Sequence, residues 1–267
     1  MKQRFRDLLS RNGWLKWVPN ALTLGNSLCG FAAILCALQV YGKSCPAEKV
    51  FLMTALLILG AMVFDAFDGY AARLLNAASV HGIQMDSLAD MVTFGVAPAT
   101  AVVVMAHSLN ALMTRQFVLV WCLCAVYLGC AALRLAKYNV HAMLEKKSSE
   151  KFSGLPSPGA AAAVCSVIIF YAVEGDRYSL IRFLPYYAAI LGLLMVSPIQ
   201  YQHFGKWIFS IPRHKKRIFI VLAVIIAACF KPAMVILILV NGYVVWAPVV
   251  ALAVKLGLLK SPADANI

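Results

Sequence analysis

"FDAFDGYAARLLNAASVHGIQMDSLAD", residues 64–90, sets four aspartates and one arginine at the ends of two of the most apolar stretches in the chain. Charge within a membrane-crossing helix is costly, and where it occurs it usually faces the bundle interior and marks a working site. Asp65 and Asp68 are three residues apart and share one face of a helix; Asp86 and Asp90, four apart, do the same. The short connection makes the two helices antiparallel neighbours, so all four carboxylates can converge at one depth. Four like charges repel strongly in a low dielectric. They call for a cation, and an all-oxygen ligand set favours hard divalent ions such as Mg²⁺ or Mn²⁺ over zinc.

Gly69 directly follows Asp68, and Gly82 is read as interrupting the loop, so the backbone can approach a ligand closely at both points. Arg73 lies one turn beyond Gly69 near the interface, where its planar donor fork suits a phosphate. Taken singly, each aspartate also reads as a helix cap or a solvated headgroup-level residue. Together with both glycines and Arg73, they point to a phosphate-bearing, lipid-linked substrate reached from the cytoplasmic side, with divalent ions bridging its oxygens.

The rest of the chain supplies the setting. Its 267 residues are 62% hydrophobic and 13% charged, with a mean hydropathy of +0.81, far outside the range of a soluble domain. The expected fold is all-α, a polytopic membrane helix bundle, since the apolar runs are too long and unbroken for barrel strands. Spans are predicted at about 19–41, 49–70, 87–108, 116–136, 157–174, 183–199, 216–231 and 233–254, the last two forming a hairpin at Lys231-Pro232. Residues 1–18 mix basic residues with Leu8, Leu9, Trp14, Leu15 and Trp17, the pattern of an interfacial amphipathic helix. No signal peptide is expected, because the first apolar stretch is too long and lacks a small-residue cleavage site.

With the N-terminus inside, eighteen lysines and arginines fall on the cytoplasmic side and six on the other, so both termini are read as cytoplasmic. The net charge of +13 is then topology-setting charge attracted to anionic headgroups, and no nucleic-acid partner is expected. The eight cysteines lack any paired zinc-type spacing and read as small hydrophobes. The five histidines show no ligand spacing either.

The eight fixed positions Asp65-x2-Asp68-Gly69-x2-Ala72-Arg73-x8-Gly82-x3-Asp86-x3-Asp90 match without a departure the motif of the CDP-alcohol phosphotransferases, which the chain therefore resembles. Those are integral membrane enzymes that pass a phosphatidyl or related group from a CDP-linked donor to an alcohol. "PNALTLGNSLCG" at 19–30, "MDSLADMVTFGVAPA" at 85–99, "LRLAKYNV" at 133–140 and "FSGLPSPGAAA" at 152–162 look like the branch that uses serine as acceptor, the membrane-type phosphatidylserine synthases. Recognisable blocks run from about 19 to 165.

The resemblance implies CDP-diacylglycerol and L-serine as substrates, two divalent metal ions, and a homodimer among the membrane lipids of a prokaryotic inner membrane. It implies Asp65, Asp68, Asp86 and Asp90 as metal ligands, with Asp90 also the general base. Gly69, Ala72, Arg73 and Gly82 would line the CDP pocket along with Asp65 and Asp68, and Asn20 and Thr23 would lie near the nucleotide. The residues agree with such chemistry: a serine hydroxyl is a poor nucleophile at neutral pH, and a carboxylate base beside a polarised phosphate answers that. No Ser, Cys or His is placed for a covalent intermediate, so direct attack with CMP leaving is preferred.

Arg134 and Lys137 share a face one turn apart and read either as a site for the serine carboxylate or a second phosphate, or as topology determinants snorkelling to the interface. Related synthases usually read "RLARFN" here, so Lys137 and Tyr138 are departures, while Asn139 matches and is read as a donor to the same serine or phosphate group. "GLPSP" at 154–158 either shapes the acceptor side or simply opens a helix with proline. The domain reading is an interfacial helix at 1–18, a six-helix catalytic core at 19–199, and a basic loop with two further spans at 200–267. The rivals are another acceptor within the family (glycerol 3-phosphate, inositol or choline), a metal-dependent membrane prenyltransferase, or a cation transporter. Against the last, the aspartates lie toward helix ends and no inverted repeat is evident.

Overall fold

A computed structural model of the protein describes residues 17–42, 45–75, 79–108, 116–144, 153–175, 178–201 and 229–256. All regular structure among them is helical: α1 (Val18–Leu38), α2 (Ala47–Leu74), α3 (Val80–Asp90), α4 (Ala97–Ser108), α5 (Phe117–Leu144), α6 (Ser157–Glu174), α7 (Tyr178–Val196) and α8 (Pro232–Lys255). A π-helical turn, Met91–Val96, joins α3 to α4 without a break, so the two make one rod over Val80–Ser108. Six rods are long and apolar enough to cross a bilayer, and Leu180–Val196 is a shorter apolar helix. The predicted span at 216–231 and the interfacial helix at 1–18 lie outside the described residues, save for the few at their ends.

Lipid offers no hydrogen bonds, so the backbone closes its own within each helix, and what then distinguishes one helix face from another is how closely it can pack. Small residues set the tight crossings. α1 lies along α2 over the longest shared surface, with Gly25 against Phe64. At Gly30 a Cβ would lie 2.4 Å from Thr93 Oγ1 and 2.9 Å from its Cα, so α1 presses directly onto the π turn. At Gly192 a Cβ would lie 2.7 Å from the Tyr127 Cα, which brings α7 against α5. α4 and α6 are the most enclosed rods, and Phe94, Val102, Met105, Ala161, Val164 and Ile168 form the centre of the core.

The third span begins earlier than its apolar run. Ser79 caps α3 by accepting a hydrogen bond from the Gly82 amide at 3.0 Å. Gly82 therefore sits in the first turn of a helix and not in a loop, because the Ser79 cap starts the helix ahead of the apolar run. The "GLPSP" segment folds back onto the end of α7. Gly154 adopts φ of +92° and donates to the Ile199 carbonyl at 2.8 Å, and Leu155 donates to that of Leu194 at 3.0 Å. A Cβ on Gly154 would lie 2.1 Å from the Met195 carbonyl oxygen, so backbone conformation and space both require glycine there.

Candidate active site

α2 carries Asp65 and Asp68 in its last turns, and α3 carries Asp86 and Asp90. Asp65, Asp68 and Asp86 come together: each offers a carboxylate oxygen, all within 4.8 Å of one another. Asp68 Oδ2 and Asp86 Oδ1 are buried with no hydrogen-bond partner. Unpartnered buried oxygens on two of three crowded carboxylates are what a cation resolves, and the all-oxygen donor set suits a hard divalent ion. These residues fit such an ion and can hold it.

Asp90 is placed differently. It feels the charge of Asp65, Asp86 and Asp68 but lies outside their close group, one turn deeper on α3 and only 9% exposed. Its Oδ1 accepts a hydrogen bond at 3.1 Å from the Asn26 side chain of α1, which is fully buried. Asn26 is held in turn from the same rod: its carbonyl accepts from Thr93 Oγ1 at 3.1 Å, across the crossing that Gly30 permits. Tyr127 of α5, fully buried, donates to the Phe94 carbonyl at 2.8 Å, giving a partner to a backbone group in the π turn. π turns often occur beside working sites. Here one lies directly after Asp90 and carries both Thr93 and Phe94.

The nucleotide-side candidates gather around the same end. Thr23 donates to the Pro19 carbonyl at 3.0 Å and lies beside Asp68, as does the Gly69 amide. Asn20 meets the first turn of α3: a Cβ on Gly82 would lie 3.7 Å from Asn20 Oδ1. Arg73 is exposed and folds back along α2, its Nε donating to the Gly69 carbonyl at 2.9 Å. That bond turns the guanidinium over Gly69, with Nη2 3.9 Å from where a Cβ would stand, and Ala72 is half-buried between them.

On α5 the three candidates divide. Arg134 is half-buried and points inward, Nη1 donating to Ser157 Oγ at 3.1 Å at the start of α6, and it feels the charge of Asp90. Its Nε is buried without a partner. Asn139 accepts from Ser87 Oγ at 2.6 Å, which pins α5 to α3 between Asp86 and Asp90. Lys137 is exposed and does not join Arg134 in the interior. Sequence reasoning misses Asn26, Thr93, Tyr127 and Ser157. Of these Asn26 has a legible signal, an amide within an apolar span and in step with Asn20 and Thr23 at three-residue spacing.

Three carboxylates that could hold a cation, with a fourth braced beside them, can polarise a phosphate and accept a proton at one place. The description "CDP-alcohol phosphatidyltransferase" belongs to a family model that matches residues 16–198. The chain is 36% identical over 196 residues to a CDP-diacylglycerol–serine O-phosphatidyltransferase of Bacillus subtilis, covering 72% of this chain and 93% of that one. A protein of the same name from Helicobacter pylori is 31% identical over 198 residues, covering 70% of this chain and 73% of that one. The one from Mycobacterium bovis is 31% identical over 189 residues, 69% of this chain, which spans 60% of the longer relative. By its matched length and by the site just described, this chain is a member of the CDP-alcohol phosphatidyltransferase family.

Proposed function

We propose that the chain is a phosphatidylserine synthase, which transfers the phosphatidyl group of CDP-diacylglycerol to the hydroxyl of L-serine and releases CMP. The observation that carries this reading is the arrangement of the aspartates: three crowd together, two of them with an unpartnered buried oxygen, and the fourth accepts from Asn26 outside that close group. The acceptor identity is supported by the names of the relatives.

In this reading Asp65, Asp68 and Asp86, joined by Asp90 from one turn deeper, hold two Mg²⁺ or Mn²⁺ ions, which when bound would polarise the diphosphate and stabilise charge on its oxygens. Asn20, Thr23, Gly69, Ala72, Arg73 and Gly82 receive the CDP moiety, the small residues leaving room for it. Asp90 takes the proton from the serine hydroxyl, whose oxygen attacks the β-phosphorus. As the new O–P bond forms, the bond from that phosphorus to the bridging oxygen breaks and CMP departs with the electron pair. Arg134 faces the acceptor carboxylate, and Asn139, through Ser87, keeps α5 in register with the base. The exposed position of Lys137 supports an interfacial role for it.

The charge asymmetry of the loops supports an inner-membrane enzyme with both termini and the site on the cytoplasmic side, and the family resemblance supports a homodimer with a catalytic core over 19–199. CMP release from CDP-diacylglycerol in detergent, with Mn²⁺ or Mg²⁺ and with serine, glycerol 3-phosphate, inositol and choline offered separately, tests the reading. Turnover with serine alone, abolished by EDTA and restored by either ion, is expected. Turnover with a different acceptor would keep the family chemistry and overturn the serine assignment.

A further inference from the structure

The segment before α6 is held more tightly than a connection between helices requires. The amides of Gly154 and Leu155 are clipped to the carbonyls of Ile199 and Leu194 at the end of α7. Leu155 is fully buried, and Pro156 and Pro158 flank Ser157, their rings leaving the backbone little freedom. Ser157 opens α6 and is 1% exposed. Its hydroxyl accepts from Arg134 Nη1 of α5 at 3.1 Å.

Contacts along α5 give the depth at which this happens. Asn139 meets Ser87 at 2.6 Å, Tyr127 meets the Phe94 carbonyl at 2.8 Å, and a Cβ on Gly95 would lie 3.3 Å from Leu128. Residue numbers fall along α5 as they rise along α3 and the π turn, so the two run in opposite directions. Asp90 lies between Ser87 and Phe94, and Arg134 between Asn139 and Leu128. At about 1.5 Å per helical residue, the Asp90 backbone is about 4.5 Å beyond Ser87 and that of Arg134 about 7.5 Å beyond Asn139. The two residues therefore stand at nearly one depth.

An arginine pairs with a carboxylate or phosphate along one edge of its planar fork, through two parallel N–H donors. Ser157 takes Nη1, whereas Nε is buried without a partner and would be satisfied by an anion. A long side chain gives up rotamer freedom when it grips a ligand, and one already tied at Nη1 has less to give up. We propose that Ser157 is a positioning residue of the acceptor site, holding Arg134 at the depth of Asp90 with its Nε edge left for the anionic group of the acceptor. The inference rests on the reading of Arg134 as the acceptor-facing cation. For serine the anion is the carboxylate; for a phosphorylated acceptor it is the phosphate.

The test uses the full-length enzyme in detergent with Mn²⁺ and follows CMP release as CDP-diacylglycerol and acceptor are varied in turn. Ser157→Ala removes only the hydroxyl. It is expected to raise the KM for serine about fivefold, the cost of ordering one long side chain at the moment of binding. The kcat at saturating serine and the KM for CDP-diacylglycerol should hold. Ser157→Thr keeps a hydroxyl at the same place and is expected to restore most of the serine KM. A merely structural contact would lower kcat or weaken both substrates together, and either result overturns the inference. So does an unchanged serine KM, or a Ser157→Thr enzyme no better than Ser157→Ala. Should Ser157→Ala not fold, Ser157→Gly removes the same hydroxyl, and the same split is required of it. A wild-type enzyme that uses glycerol 3-phosphate overturns the serine reading alone, and the comparison passes to the KM for that acceptor with the same expectation. Turnover only with inositol or choline, which carry no anion, overturns both.

Discussion

Asp90→Asn is expected to lower the rate of CMP release by about 10²–10⁴-fold at saturating metal and both substrates, the usual contribution of a general base. The substitution keeps shape and volume. The amide oxygen of the introduced side chain can still accept from Asn26, so the 3.1 Å contact and the packing of α1 on α3 survive. What disappears, on the proposed reading, is the capacity to take a proton together with the negative charge that Asp90 adds to the metal site, and saturating metal offsets the second. Asp68→Asn should behave differently, because Asp68 belongs to the close carboxylate group and is 4% exposed: its loss should raise the metal concentration needed for half-maximal rate, and excess metal should recover part of the activity. Steady-state rates across a Mn²⁺ titration separate the two. Recovery of Asp90→Asn by excess metal would assign Asp90 to metal binding alone and remove it as the base.

The contrast between these carboxylates is only partly legible in the sequence. Spacing places Asp65 with Asp68 and Asp86 with Asp90 on shared faces, since helical periodicity is a local property, and apolar run length places the six long helices among the described residues for the same reason. Spacing does not say that one aspartate stands apart, because that follows from a contact across 64 positions with Asn26. The π turn leaves no mark either: "MVTFGV" is a plain apolar run, and its register change becomes visible only where Thr93 and Phe94 meet Asn26 and Tyr127. Gly82 reads as loop from the low hydropathy around it, whereas Ser79 caps a helix there. Arg134 and Lys137 are indistinguishable by spacing, and only the neighbour at Ser157 draws Arg134 inward. Asn241 of α8 is an ordinary residue in sequence, and only its partners Tyr187 of α7 and Ser166 of α6 show that it ties the three helices together.

Gly30→Ala is expected to damage the enzyme far out of proportion to the single methyl group it adds. Its Cβ would stand 2.4 Å from Thr93 Oγ1 and 2.9 Å from the Thr93 Cα. Rotating the threonine relieves only the first contact, and the second is backbone, so α1 must move off the π turn. Overpacking of this kind costs about 1–3 kcal/mol, and it would outweigh the gain of about 1 kcal/mol from replacing glycine by alanine within a helix. The shift also separates Thr93 from the Asn26 carbonyl and carries Asn26 away from Asp90, so activity should fall more steeply than stability. Gly60→Ala is the matched control, since nothing lies within 4 Å of its added Cβ. Thermal unfolding in detergent together with CMP release should show Gly60→Ala near wild type in both, and Gly30→Ala reduced in both. A Gly30→Ala enzyme with full activity would mean that the Asn26–Asp90 contact does not set the geometry of the base.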